Sequence, residues 1–121
     1  MIIENSDNII NDLSFNFAVR IVKFYKHLTE NKRVFVLSKQ ILRSGTSIGA
    51  NVRESIHAQS PADFINKLNI ALKEADETEY WLELLHAAEI ISDEEFNSLS
   101  SDAKQIIGTL VKIIKTSKSA Q

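Results

Sequence analysis

The chain has 121 residues and is 44% hydrophobic, enough for one continuous core, and its three glycines and one proline are too few for a succession of short strands. The absence of cysteine excludes disulfides, thiolate nucleophiles and cysteine-held zinc or iron–sulfur groups. A formal net charge of −2 excludes the overall basic bias of a typical nucleic-acid-binding domain, so any such activity has to rest on a local patch.

The opening residues Met1 to Asp7 carry no basic n-region and no sustained apolar run. No later stretch is apolar for long enough to cross a bilayer, which predicts a cytoplasmic protein with no membrane partner. From Ile10 onward, Leu13, Phe17, Ile21, Phe24 and Leu28 recur at steps of three or four, predicting a first helix over about 8–29. A second series, Val34, Leu37, Ile41, Ile48, Val52 and Ile56, predicts a helix over about 32–58, with Gly45 at a stripe position that lacks a side chain.

Ser60 as N-cap, Pro61 at the first helical position and Asp63 in the first turn open a third helix, about 61–88. Its seam runs through Phe64, Leu68, Ala71, Ala75, Thr78, Leu82 and Leu85. Ser92 and Glu95 form a Ser-x-x-Glu capping box, with Ile91 and Phe96 placed for a hydrophobic staple. They open a fourth helix, about 93–116, with the stripe Phe96, Leu99, Ala103, Ile106, Leu110 and Ile113. Helices of similar length joined by short loops predict a single all-α domain over 1–121, an antiparallel up-down-up-down four-helix bundle.

Two apolar strips fall outside these seams. Phe15, Val19 and Val22 lie opposite the stripe of the first helix, and Ile70, Trp81, Leu84 and Ala88 lie off the seam of the third. Together they predict a homo-oligomer in which copies of the chain cover one another's strips.

The candidates for chemistry are few. Glu54 with His57 and Glu83 with His86 repeat a Glu-x-x-His pattern that builds di-iron sites in bundles, but the pairs would sit about 25 Å apart by helical rise. No metal site follows. His27, His57 and His86 lie on different helices with no Ser or Cys nucleophile beside them, and no glycine-rich phosphate loop occurs, so neither catalytic residues nor a cofactor are predicted. Charge, however, is sorted by helix: residues 32–58 hold five Lys or Arg against Glu54 alone, and residues 61–89 hold two Lys against seven acids. Lys32, Lys39, Arg43, Arg53 and His57 fall within an arc of about 80° on the solvent side of the second helix, a ridge suited to successive phosphates. The competing reading pairs this ridge with acids of the third helix, among them Glu74, Asp76, Glu77, Glu79 and Glu83. No aromatics interleave with the cations, so base stacking is not expected.

Gln40, Arg43, Ser47, Ile48, Asn51 and Glu54, followed by Phe64, Leu68, Ile70, Ala71 and Glu77, resemble the 23S rRNA intervening-sequence protein family over most of the chain. The resemblance implies a four-helix bundle. Through the related accessory proteins of diversity-generating retroelements, it also implies a pentameric barrel that binds nucleic acid and a reverse transcriptase. It marks Gln40, Arg43, Ser47, Asn51, Glu54 and Glu77 as a structural polar motif, of which Arg43, Ser47 and Asn51 are placed to fix contacts between helices or subunits. The chain departs from the family's pattern where Glu54-Ser55 replaces Glu-Gly, Lys73-Glu74 replaces Gly-Ser, and Thr29-Glu30 stands in place of Phe-Pro. The first reading is therefore an oligomeric accessory factor associated with RNA or DNA through the second helix. The second is a scaffold or adaptor that binds protein alone.

Overall fold

The computed structural model describes residues 5–120. They form helices α1 (Asn5–Glu30), α2 (Val36–Ile56), α3 (Pro61–Ala87) and α4 (Asp93–Ser119), with no strand among the described residues. Each helix packs on its two neighbours in the ring α1, α2, α3, α4, and the backbones of the diagonal pairs stay apart. At the centre, Phe17, Ile21 and Leu28 from α1 meet Ile41, Ile48 and Val52 from α2, Leu68, Leu82 and Leu85 from α3, and Ile106 and Leu110 from α4, all essentially inaccessible. These are the stripes that the spacing of apolar residues predicts.

Helix α2 corrects one expectation: it begins at Val36, not near position 32. Residues 31–34 are used to end α1 instead. The amides of Asn31 and Lys32 donate to the His27 carbonyl at 3.0 and 3.3 Å, and that of Val34 donates to the Leu28 carbonyl at 2.8 Å. These bonds satisfy carbonyls that the helix end would leave bare, and they require Arg33 to turn into the left-handed region, at φ 57°. Val34 therefore packs on the core from a connection. Lys32 likewise lies in that connection and not on α2.

The buried face of α2 is built largely from small residues, Ser38, Ser44, Gly45 and Ser55. They bring its backbone close to its neighbours. A Cβ on Gly45 would lie 2.8 Å from Ile21 of α1, and Thr78 of α3 donates a hydrogen bond to the Ser44 hydroxyl at 2.9 Å. Ser55, which stands where the related pattern has glycine, is buried and turns its hydroxyl onto the Val52 carbonyl at 2.6 Å.

The other two helix starts are fixed locally. Ser60 accepts the Asp63 amide at 3.1 Å, and Pro61 follows the cap. Ser92 accepts the Glu95 amide at 3.1 Å while Glu95 accepts the Ser92 amide at 2.9 Å, closing the reciprocal box. The same hydrogen bond from the Ser92 backbone, more than any other influence, holds the Glu95 carboxyl below its usual range. Among the described residues no helix is long and apolar enough to cross a membrane.

Candidate nucleic-acid and oligomer interfaces

Four of the five ridge residues keep to α2 or its C-terminal end: Lys39, Arg43 and Arg53 within the helix, and His57 as its C-cap. All are exposed. Lys32 is exposed too, but from the α1–α2 connection beside α4, where its charge helps to lower the Glu95 pKa. Lys39 and Arg53 make no ion pair among the described residues, whereas Arg43 is engaged.

The Arg43 guanidinium pairs with Glu74 at 3.0 Å and with Glu77, both on α3. The hydrogen bond that Arg43 donates to Glu77 is the largest influence raising the Arg43 pKa. Glu77 in turn accepts the Trp81 indole N–H at 3.1 Å, and that bond leads the influences that lower its carboxyl pKa. Arg43, Glu77 and Trp81 thus form one polar chain across the α2–α3 seam, and a phosphate would have to compete with two carboxylates for this arginine.

The remaining motif residues divide. Glu54 reaches Lys67 of α3 at 2.9 Å, a second bridge across the same seam. Ser47 and Asn51 bond within α2, to the carbonyls of Arg43 at 2.6 Å and Ser47 at 2.9 Å. Gln40 is exposed on the same flank. The motif therefore holds α2 to α3 through its charged members, and its neutral ones serve the helix they sit on.

The apolar strip on α1 is open to solvent: Phe15 is 54% exposed, Val19 39% and Val22 44%. The strip on α3 is partly covered within the chain, since Ile70, Trp81 and Leu84 are half-buried and only Ala88 is exposed. Trp81 lies against the core and meets Tyr80 edge-on, ring centroids 5.1 Å apart. Tyr80 at 56%, Phe35 at 50% and Val36 at 75% add exposed apolar surface outside the two strips. The signal was present in adjacent bulky residues, Phe35-Val36 and Tyr80-Trp81, that no single stripe can bury together.

The two Glu-x-x-His pairs find other uses. Besides the Glu54–Lys67 bridge, the His86 ring stacks on Phe96 at 4.4 Å and lies 2.6 Å from Asp93, clamping the start of α4. No group of three metal-ligating side chains gathers among the described residues.

An all-α fold of four helices, joined across α2 and α3 by the Arg43–Glu77 and Glu54–Lys67 bridges, defines the structural class. The chain belongs to the 23S rRNA-intervening sequence protein family, whose sequence profile matches residues 6–112. It is similar to a protein of unknown function from the S23 ribosomal protein family of Bacteroides thetaiotaomicron VPI-5482, known from a crystal structure, with 61% identity and a TM-score of 0.90. That match covers 91% of this chain and 98% of the other. No protein of curated function matches the chain.

Proposed function

We propose that the chain is a non-enzymatic accessory factor that assembles with copies of itself and associates with RNA or DNA in the cytoplasm. In this reading it is a single antiparallel up-down-up-down bundle. Cross-seam pairs support that arrangement, since Glu54 meets Lys67 early in α3 whereas Arg43 meets Glu77 further along it. The observation that carries the assembly is the exposed strip of Phe15, Val19 and Val22, which water penalises and a second copy relieves. Because α1 and α3 lie diagonally in the ring, their outward strips face different ways, and unlike faces that meet head to tail close into rings. The resemblance to retroelement accessory proteins favours a pentameric barrel.

Light scattering tests this directly. Phe15→Glu should disable one face and Ala88→Glu, at the exposed end of the α3 strip, the other, so each variant should be monomeric, yet an equal mixture should pair because each retains what the other lacks. A monomeric wild-type protein overturns the assembly.

Association with nucleic acid rests on Lys39 and Arg53, exposed and without ion-pair partners among the described residues. Affinity for RNA or DNA should fall steeply with added salt, and the Lys39→Glu, Arg43→Glu, Arg53→Glu variant should lose it. The second reading, a scaffold that binds protein alone, is favoured by the engagement of Arg43 with Glu74 and Glu77. Absence of any nucleic-acid binding at low salt decides for the scaffold.

A further inference from the structure

We infer that the outer face of α4 is a phosphate-backbone contact surface, formed by Lys104, Lys112, Lys115 and Lys118. Downstream of Asp102 the chain carries these four lysines and no acidic residue. At 100° per residue Lys104, Lys112 and Lys115 fall within an arc of about 80°, opposite the buried stripe of Leu99, Ala103, Ile106 and Leu110. All four lysines are exposed, and none pairs with a carboxylate among the described residues. Asp102, the last acid before the row, is occupied by Arg20 of α1. The row spans about 21 Å of rigid helix.

Its setting points to phosphate and away from lipid or a structural role. Every exposed residue of α4 from Ser101 to Ser119 is Lys, Ser, Thr, Gln or Gly, which leaves no Trp, Phe or Leu to enter a bilayer. Hydroxyl and amide groups among fixed point charges suit phosphodiester oxygens. Interaction with the helix dipole is confined to the last turn, so it accounts for Lys118 but not for Lys104, Lys112 or Lys115. The α2 ridge, by contrast, has its central arginine held by two carboxylates.

This inference rests on the reading of the chain as associated with nucleic acid, and it assigns the main contact to a different helix. The probes are polyuridylate RNA and duplex DNA, titrated onto the full chain at low and rising salt, with polyglutamate and phosphatidylserine vesicles as other polyanions. The Lys104→Glu, Lys112→Glu, Lys115→Glu variant should retain its helical content and lose affinity for at least one nucleic acid about tenfold or more. The slope of log affinity against log salt should fall by about 2 for the single strand, as expected for three lost phosphate contacts. The corresponding Lys→Gln variant should show a smaller loss in the same direction.

Unchanged affinity in the α4 variant, with loss in Lys39→Glu, Arg53→Glu, overturns this inference and leaves the proposed function standing. A wild-type chain that binds neither nucleic acid at low salt overturns both. Equal or tighter retention of polyglutamate or of the vesicles overturns the assignment to phosphodiester backbone.

Discussion

Helix α1 is held along its two flanks by seams of opposite construction. Against α2 the approach is by backbone: a Cβ on Gly45 would lie 2.8 and 2.9 Å from the γ carbons of Ile21, and one on Gly49 would lie 3.3 Å from the Ser14 carbonyl oxygen. Against α4 the reach is by long polar side chains. Arg20 spans to Asp102 at 2.5 Å and to the Ser98 hydroxyl at 2.7 Å, and His27 lies 3.3 Å from Glu95. There a groove of about 530 Å³ remains between Lys23 and Phe24 on one side and Glu94 and Leu99 on the other. The first seam derives its energy from dispersion at close range and has no slack. The second is bridged at its outer edge by partly exposed charges that can rearrange and share their work with water.

The largest effect is therefore expected at Gly45. Gly45→Leu should lower stability by about 3 kcal/mol in urea unfolding, because Ile21 is fully buried and cannot retreat. Gly45→Ala sets a helix-propensity gain of about 1 kcal/mol against an overpacking cost of about 1–3 kcal/mol, so a net loss is expected. Ile21→Ala removes the two γ carbons that the new methyl would meet, and it should couple with Gly45→Ala in a double-mutant cycle. Gly108 supplies the contrast. An added Cβ there meets nothing within 4 Å, so Gly108→Ala should stabilise by about 0.5–1 kcal/mol. If Gly45→Ala stabilises to the same degree, the α1–α2 seam is not close-packed and the contrast with α4 collapses.

A middle-sized effect sharpens the other seam. Ser92→Ala removes the cap from the Glu95 amide and should cost about 1 kcal/mol. Glu95 itself titrates below the ordinary glutamate value of 4.5, chiefly through the Ser92 backbone N–H, against the opposing effect of burial, then through the Ser92 hydroxyl, and last through Lys32 of the α1–α2 connection and His27 of α1. A folded-state pKa that is lowered contributes stability above the unfolded value, and this is lost as pH falls through the folded value. Stability should thus decline below about pH 4.5. Glu95→Gln should flatten part of that decline, leaving the part due to Glu77, whose lowering comes from Trp81 and Arg43 on the other side of the molecule. An acid limb that is identical in Glu95→Gln would show that the box contributes no charge-dependent hold.

The residues involved show which of these features could be seen in the sequence. The caps at Ser60 and Ser92 were legible because donor and acceptor lie within three residues of each other and need no tertiary partner. The core stripes were legible because burial repeats with the helical period. The start of α2 was not, because α1 is ended by backbone bonds around Arg33, so that the left-handed position carries Arg instead of Gly or Asn. The angle of Trp81 on the helix places it outside the seam, but its indole is broad enough to lie over the edge of the core and reach Glu77 one turn back. The engagement of Arg43 depends on how α2 is set against α3, which no spacing within α2 can encode. The α4 lysines are legible in the sequence as a segment without acids after Asp102, though the sharper charge contrast lies between the second and third helices.

The smallest expected effect is at the bridge that gives the α1–α4 seam its character. Arg20 makes three hydrogen bonds, to Asp102, the Ser98 hydroxyl and, at 3.4 Å, the Ser98 carbonyl, which by number alone suggests a strong clasp. Exposure decides otherwise: the Arg20 and Asp102 side chains are 39% and 41% accessible, so most of the attraction replaces interactions with water already available when the chain unfolds. Arg20→Ala should therefore cost only about 0.5 kcal/mol, and high salt should remove most of the difference from wild type. A loss comparable to that of Gly45→Leu, insensitive to salt, would mean that the guanidinium packs over Phe24 and Leu99 as apolar surface. The two flanks of α1 would then differ in chemistry but not in tightness.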